Sequence, residues 1–529
     1  MKFTKRATAE VFLSLGQKIG LAVIAALAIA AAVLWGPGIL PRIASGIVVV
    51  FYLCFVLLKL VTFGAGAFYR PAKIMPASMS DPNLPSYSVL VPMYKETAEG
   101  FEKLLKSLDG LEYPKQLLQV LLILEEKDET TIAMVRSFQL PFYVEPVIVP
   151  NCGPTTKPKA CDYAMLKVTG DRLVIFDFED RPERLHLLKA VAAMDAEHAC
   201  DPRVVCVQGQ LMFWNPRKGA APFYFAEYVV HFRWMLAGLA RLGLVTPLGG
   251  TSNHFLTSAL RKVASVYPEL MFRHNGSDVR MPNVWDPFNV TEDADLGARL
   301  ARLDMLVKMC NALTLEEAPH SFKTALNQRS RWLKGYAQTA LVQMRRFGQS
   351  IRQMGLVRYI VFNLFVGGTP VSLLLNPLVW GTTVLYIAAR INHWQGTADY
   401  IESLFPGPLY YIAMTVAIGN VVFFFQMLAA VLHQQENDAA EVPQPVREAQ
   451  YGLVLPLVAT PWWWLFTALP ATKAMFELSV PGLRSHWSKT MHGGSVGQET
   501  AMLEGAAQAL PPGQLRVDPT LQQRHRDEV

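Results

Sequence analysis

Four short stretches concentrate the side chains able to do chemistry: Leu124-Glu125-Glu126, Asp177-Phe178-Glu179-Asp180, Thr291-Glu292-Asp293 and Gln328-Arg329-Ser330-Arg331-Trp332. The first two directly follow apolar runs of strand character. Carboxylates two positions apart on extended backbone point to one side, which suits a divalent cation, and a carboxylate beside a hydroxyl can remove its proton. In the last stretch a planar guanidinium meets anions and an indole offers a flat apolar platform. Each stretch also has a plain structural reading. The aspartate run can be an acidic cap after a strand, and Glu125-Glu126 can join Lys127-Asp128-Glu129 as a solvated cluster. Thr291 followed by Asp293, Leu296 and Leu300 is a good helix start. For Asp293 both readings can hold together.

These groups need a frame. Tyr87 to Pro92 reads as a strand stopped by its proline, and an amphipathic stretch through Phe101, Leu104, Leu105 and Leu108 follows it. Further strands are expected at Leu118 to Leu124, Leu173 to Phe176 and Val204 to Val207. The alternation implies an α/β sheet covered by helices on both faces, with ligands beyond the carboxyl ends of the strands. Glu125 and Asp177 fall at that edge.

The chain has 529 residues, of which 51% are hydrophobic and 17% charged. Its mean hydropathy is +0.22, the composition of a membrane protein. A net charge of +6 without a clustered basic stripe gives no support to a nucleic-acid partner. Six cysteines without CxxC spacing read as reduced structural thiols. Apolar runs from Ile19 to Trp35 and Ile43 to Leu58 form an expected uncleaved hairpin, with Lys59 snorkelling to the interface. Lys2, Lys5 and Arg6 before it, and Arg70 and Lys73 after it, place the polar region in the cytosol. The stretch Leu333 to Met344 suits a helix at the membrane surface or an amphipathic core helix. Tyr359 to Ala389 is expected as two short spans turning near Asn376-Pro377, followed by spans at Leu409 to Leu432 and Leu453 to Leu469. That makes about six. The divisions expected are 1–70 (hairpin), 71–348 (cytosolic α/β domain with interface helices), 349–480 (about four spans) and 481–529 (cytosolic tail, polar and disordered from about Leu510).

Taken in order and framed by spans, the four stretches resemble those of membrane-embedded family-2 glycosyltransferases, in particular processive synthases of the cellulose, curdlan, chitin and hyaluronan type. The resemblance implies a GT-A-like cytosolic domain, a UDP-sugar donor and a polysaccharide acceptor. It also implies a multi-pass place in a bacterial inner membrane, with envelope export proteins as potential partners. It assigns Mg²⁺ or Mn²⁺ to Asp177 and Glu179. The family usually writes this motif Asp-x-Asp, so Asp180 stays open as a substitute. Tyr94, Glu96 and Glu126 are assigned to the nucleotide, Glu125 less securely; Tyr94 can equally be loop filler. Lys157, with Lys159 second, meets the diphosphate beside Asp177, Gln328 and Arg331. Asp293 inherits the general-base role with Glu292 beside it. Trp332 and the Gly249-Gly250-Thr251 turn face the acceptor, whereas His254 is structural. Trp487 to Gly493 reads as a gating segment or a basic juxtamembrane anchor. Two rivals remain: a transferase acting once on a lipid acceptor, and a catalytically silent envelope or receptor-assembly component.

Overall fold

The computed structural model describes residues 8–69, 77–215, 219–319, 321–437 and 457–484. Lys2, Lys5, Arg6, Arg70, Lys73 and the Trp487 to Gly493 segment lie outside them. The hairpin consists of α1 (Leu15–Trp35) and α2 (Ile39–Ala67). A capping box starts α1: Ser14 accepts from the Gln17 amide while the Gln17 side chain accepts from the Ser14 amide. Gly36, at φ +81°, then turns the chain.

The α/β domain runs β1 (Tyr87–Met93), α3 (Ala98–Asp109), β2 (Leu118–Glu125), α4 (Glu129–Ser137), β3 (Val144–Val149), α5 (Lys157–Ala164), β4 (Arg172–Ile175), β5 (Arg181–Pro182), α6 (His186–Cys200) and β6 (Val204–Phe213). An interface segment follows, made of α7 (Ala221–Tyr228), a π-helical turn (Val229–Met235) and α8 (Leu236–Arg241). Then come β7 (Asn253–Leu256), α9 (Thr257–Val266), the hairpin β8 (Leu270–His274) and β9 (Ser277–Met281), α10 (Glu292–Arg302) and β10 (Leu306–Glu316).

Eight strands form one sheet in the order β3-β2-β1-β4-β7-β6-β10-β5. β3, β2, β1 and β4 are mutually parallel, and β7 runs antiparallel to β4 and β6. Alternation along β1 and β2 sends Val89, Val91, Val120 and Leu122 into one core and Leu90, Leu121 and Ile123 into the other. This two-faced burial explains the continuous apolar runs. Pro92 does not stop β1 as expected, because the β4 ladder ends at Leu90 and only β2 pairs with β1 beyond it. The proline therefore costs no central hydrogen bond.

After the sheet come α11 (Phe322–Met344), α12 (Phe347–Met354), α13 (Leu356–Val366), α14 (Gly368–Ile391), α15 (Gln395–Ser403), α16 (Pro408–Asn437), α17 (Thr460–Phe466) and α18 (Ala468–Ser479). Helix α11 buries Ser330, Lys334, Gln338, Thr339 and Gln343. It packs between α10 and α18. Four described helices are long and apolar enough to span a bilayer, α1, α2, α14 and α16, against the six expected. The described part of the last expected span is divided between α17 and α18, too short for a core of about 30 Å.

The expected turn at Asn376-Pro377 is also corrected. Pro377 lies inside α14, and the break falls at Gly367, between α13 and α14. The Tyr52 hydroxyl of α2 lies 2.8 Å from the Ser372 carbonyl and 2.7 Å from Asn376 Oδ1 on the turn before the proline. At the seam between domain and spans, a Cβ on Gly66 would lie 1.9 Å from the Trp234 carbonyl, and one on Gly238 would lie 1.8 Å from the Thr62 carbonyl. Two bare glycines thus let α2 dock backbone to backbone on the interface segment.

Candidate active site

The carboxyl ends of β1, β2, β4 and β10 open on a cavity of about 720 Å³. The turn after β4 carries Asp177 and Glu179 on its wall. Asp180 is buried: its carboxylate accepts the Asp177 amide at 2.7 Å and the Thr251 hydroxyl. It braces the turn that presents Asp177, which disfavours it as the substitute for Glu179. Thr251, expected at the acceptor, is the second half of that brace, since its hydroxyl is committed to Asp180 and lies 3.1 Å from the Ile175 carbonyl.

Lys157, the first residue of α5, reaches back to Asp177 and to the Gly250 carbonyl at 2.6 Å. A Cβ on Gly250 would stand 3.5 Å from Asp293 Oδ2 and 3.9 Å from Lys157 Nζ. The glycine is a bare backbone wall between the two groups. Asp293, in the first turn of α10, accepts the Ala294 amide at 2.7 Å, so it is both part of a helix start and a cavity group. Thr291 caps that helix without a side-chain bond to it; its hydroxyl instead lies 3.4 Å from that of Thr339 on α11.

Burial and mutual repulsion govern the protonation of this cluster. Burial, then Asp293, push Glu292 up to about 8 against the pull of Lys157. Burial lifts Asp293 to about 6, opposed by the Ala294 amide and Lys157. Burial likewise raises Asp177 and Asp180, with Glu179 adding to both. Burial disfavours the Lys157 ammonium, but Asp177 and Glu292 outweigh it and hold the lysine above its ordinary value. Arg331 comes from α11 and is lowered by burial, against the fields of Glu179, Asp177 and Glu292. The wall also includes Gln328, whose Oε1 is buried and, among the described residues, without a hydrogen bond, and Trp332, whose ring lies 5.8 Å from Tyr224 and 6.0 Å from Tyr228.

Tyr94 and Glu96 line the far side, where the ammonium groups of Lys95 and Lys127 lie 5.4 and 5.8 Å from the Tyr94 ring centre. The two glutamates after β2 part company. Glu125 lies on the wall but is tied to Lys159 at 2.8 Å in a buried pair, which takes Lys159 away from any diphosphate. Glu126 is not on the cavity wall; it accepts the Asn151 amide at 2.8 Å and faces His274 at 3.4 Å. His254 is structural, set between the Tyr87 hydroxyl at 2.5 Å and His186 at 2.9 Å. Burial lowers both histidines, so each is neutral.

Sequence reasoning missed Glu316, the last residue of β10, which lines the cavity and is raised well above the carboxylate range by burial and by Asp180 and Asp177. Its signal was available: it ends an apolar strand, as Glu125 does. Reasoning also missed Glu227, which joins Arg329 to the Trp463 indole at 2.9 Å. Nothing in a single sequence pairs α7 with α17. All six cysteines are free, as expected.

The segment 173–426 matches the model of Glycosyl transferase family group 2. That segment, just under half of the chain, is similar to a family 2 glycosyltransferase domain. The mixed α/β sheet of the chain carries an acidic cluster at the carboxyl ends of its strands. A probable glycosyltransferase, YdaM of Bacillus subtilis (strain 168), is 24% identical over 286 residues, 53% of this chain and 61% of the relative. A probable glycosyltransferase of Sulfolobus acidocaldarius is 22% identical over 289 residues, 53% of this chain and 56% of the relative. The chain thus spans about three fifths of the length of these curated relatives. Among solved structures, the mannosyltransferase PcManGT of Pyrobaculum calidifontis, in complex with GDP-Man and Mn²⁺, aligns over 82% of this chain and 98% of its own at 14% identity and a TM-score of 0.47. S. aureus TarS 1–349 aligns over 66% of this chain and 91% of its own at 11% identity and a TM-score of 0.33.

Proposed function

We propose that this glycosyltransferase takes sugar from a UDP-sugar with inversion, adds it to a growing β-linked polysaccharide and delivers the product into the membrane, its α/β domain facing the cytoplasm of a bacterial cell. The observation that carries this reading is the continuity of the cavity. The wall bearing Lys157, Asp177 and Asp293 runs on between the spans to Asn376, Trp380 and Asn420. In this reading Asp293 takes the proton from the acceptor hydroxyl, whose oxygen bonds to the anomeric carbon as the bond to the diphosphate oxygen breaks. Lys157 and Arg331 receive the departing negative charge. Trp332 stacks under the acceptor sugar, and Tyr94 and Glu96 meet the nucleotide.

Crowded carboxylates that raise one another's proton affinity form a site that a divalent cation would relieve. Among the described residues no three His, Cys, Asp or Glu side chains converge on one point. In this reading Asp177 and Glu179 would hold the ion. When bound it would neutralise the leaving diphosphate.

Release of UDP from a panel of UDP-sugars, with sizing of the product, tests the reading. A polymer supports it, and a single-sugar lipid product replaces it with the lipid-acceptor transferase. No UDP release from any donor would return the silent-component rival.

A further inference from the structure

Lys59 was expected to snorkel to the interface. It instead lines the cavity, and among the described residues it is the only charged side chain that the spans contribute to the wall. Its ammonium lies 4.5 Å from the Phe55 ring centre and 4.8 Å from that of Phe423. Two ring faces attract a cation but supply no lone pair for its hydrogen bonds. The carboxylate that acts on it through space is Glu227. Both Glu227 oxygens are already engaged, one by Arg329 and the other by the Trp463 indole. Among the described residues no oxygen accepts a hydrogen bond from Lys59.

A cation held between helices without a partner is costly unless something that enters the cavity pairs with it. Neutral sugar hydroxyls have their own partners on the same wall, such as Asn376, Thr383 and Asn420. The donor's diphosphate has Lys157 and Arg331 at the sheet end. A cation offered by a span therefore answers a charge carried by the other substrate.

We propose that Lys59 binds an acidic group on the acceptor, either the carboxylate of a uronate unit in the sugar chain or the phosphate of a lipid-linked sugar. The proposal rests on the reading of the cavity as the acceptor's path, and it narrows the acceptor to an anionic one.

Intrinsic tryptophan fluorescence of the full-length protein in detergent provides the test, because Trp332, Trp380 and Trp464 line the same cavity. Three probes are titrated: cellotetraose, a hyaluronan tetrasaccharide and a short-chain polyprenyl phosphate. An acidic probe should bind about 10-fold or more tighter than cellotetraose, the scale of one hydrogen bond to a charged group. The advantage should vanish in Lys59→Met and persist in Lys59→Arg. Preference for the hyaluronan probe points to a uronate-bearing chain, and preference for the polyprenyl phosphate to a lipid-linked acceptor. Equal binding of cellotetraose, no binding of either acidic probe, or an unchanged preference in Lys59→Met overturns the proposal. Lys59→Gln replaces the methionine variant if that one does not fold. A UDP titration on the same wild-type sample separates the two readings: without UDP binding the nucleotide site itself fails, whereas UDP binding without charge discrimination removes Lys59 alone.

Discussion

At the sheet end of the cavity Asp177, Glu179, Glu292, Asp293 and Glu316 crowd around Lys157 and Arg331; at the membrane end Phe55, Trp380, Phe423 and Trp464 alternate with Asn376 and Asn420. The first end holds more carboxylate than its two cations neutralise, and burial and repulsion raise the proton affinity of Asp177, Glu292, Asp293 and Glu316. The second end holds flat apolar faces and neutral amides and, among the described residues, a single cation, Lys59. Under the proposed function, one end would stabilise charge that changes during a reaction. The other would hold a chain without gripping it. If this division is right, substitutions at the sheet end should change the rate of chemistry, and substitutions toward the membrane should change what is held and for how long.

The largest effect is expected from Asp293→Asn, which keeps the shape of the group but cannot take a proton. Turnover should fall by roughly 10²–10⁴-fold, while calorimetric UDP titration changes little. Equal loss of both would reduce Asp293 to its helix-start role and break the division at its strongest point.

Removal of divalent ions by a chelator should stop turnover and weaken UDP binding together. Asp177→Asn should mimic this with a loss of about 10²-fold or more in rate. Because Asp177 also holds Lys157, its loss frees the lysine as well, and the variant should lose nucleotide affinity that Asp293→Asn retains. Full activity in excess chelator excludes the metal from this site.

Trp332→Ala tests the boundary between the two ends. Losing one stacking platform should weaken acceptor binding by about 10-fold and shorten the product, with UDP release per productive encounter little changed. Chains of wild-type length would make Trp332 a packing residue against Tyr224 and Tyr228.

The smallest effect is a pH dependence. Glu292 at about 8 and Asp293 at about 6 are both raised above their ordinary values, chiefly by burial. Each therefore favours the fold most at low pH, and that contribution is lost as pH rises through about 6 and then about 8. Turnover has the opposite sign, because the base must be ionised: it should climb over the same interval, with apparent values that belong to the pair. Asp293→Asn should flatten the lower part of the thermal-denaturation profile. A profile identical to wild type would show that Asp293 does not titrate there.

The sequence alone located three of the four strands that carry the site, β1, β2 and β4, because strands buried on both faces must be apolar along their whole length and must end where polar chemistry begins; β10, which ends in Glu316, was not among those expected. Resemblance to the family, rather than spacing, assigned Asp177, Asp293, Gln328, Arg331 and Trp332 to one site, and all five line the same cavity. Tertiary structure decided which neighbouring carboxylate does which job. Asp180 and Glu125 are chemically equivalent to Asp177 and Glu126, yet Thr251 turns the first into a brace, Lys159 neutralises the second, and Glu126 is left off the cavity wall. Only packing reveals that, because the partners stand 71 and 34 residues away. The spans show the same limit. Hydropathy marked the apolar stretches, but Pro377 lies inside α14, and Tyr52 of α2 bonds to the preceding turn of that helix. Lys59 faces inward because α16 supplies Phe423. Local sequence sets which groups are present and how they alternate; which of them meet is fixed by elements far apart in the chain.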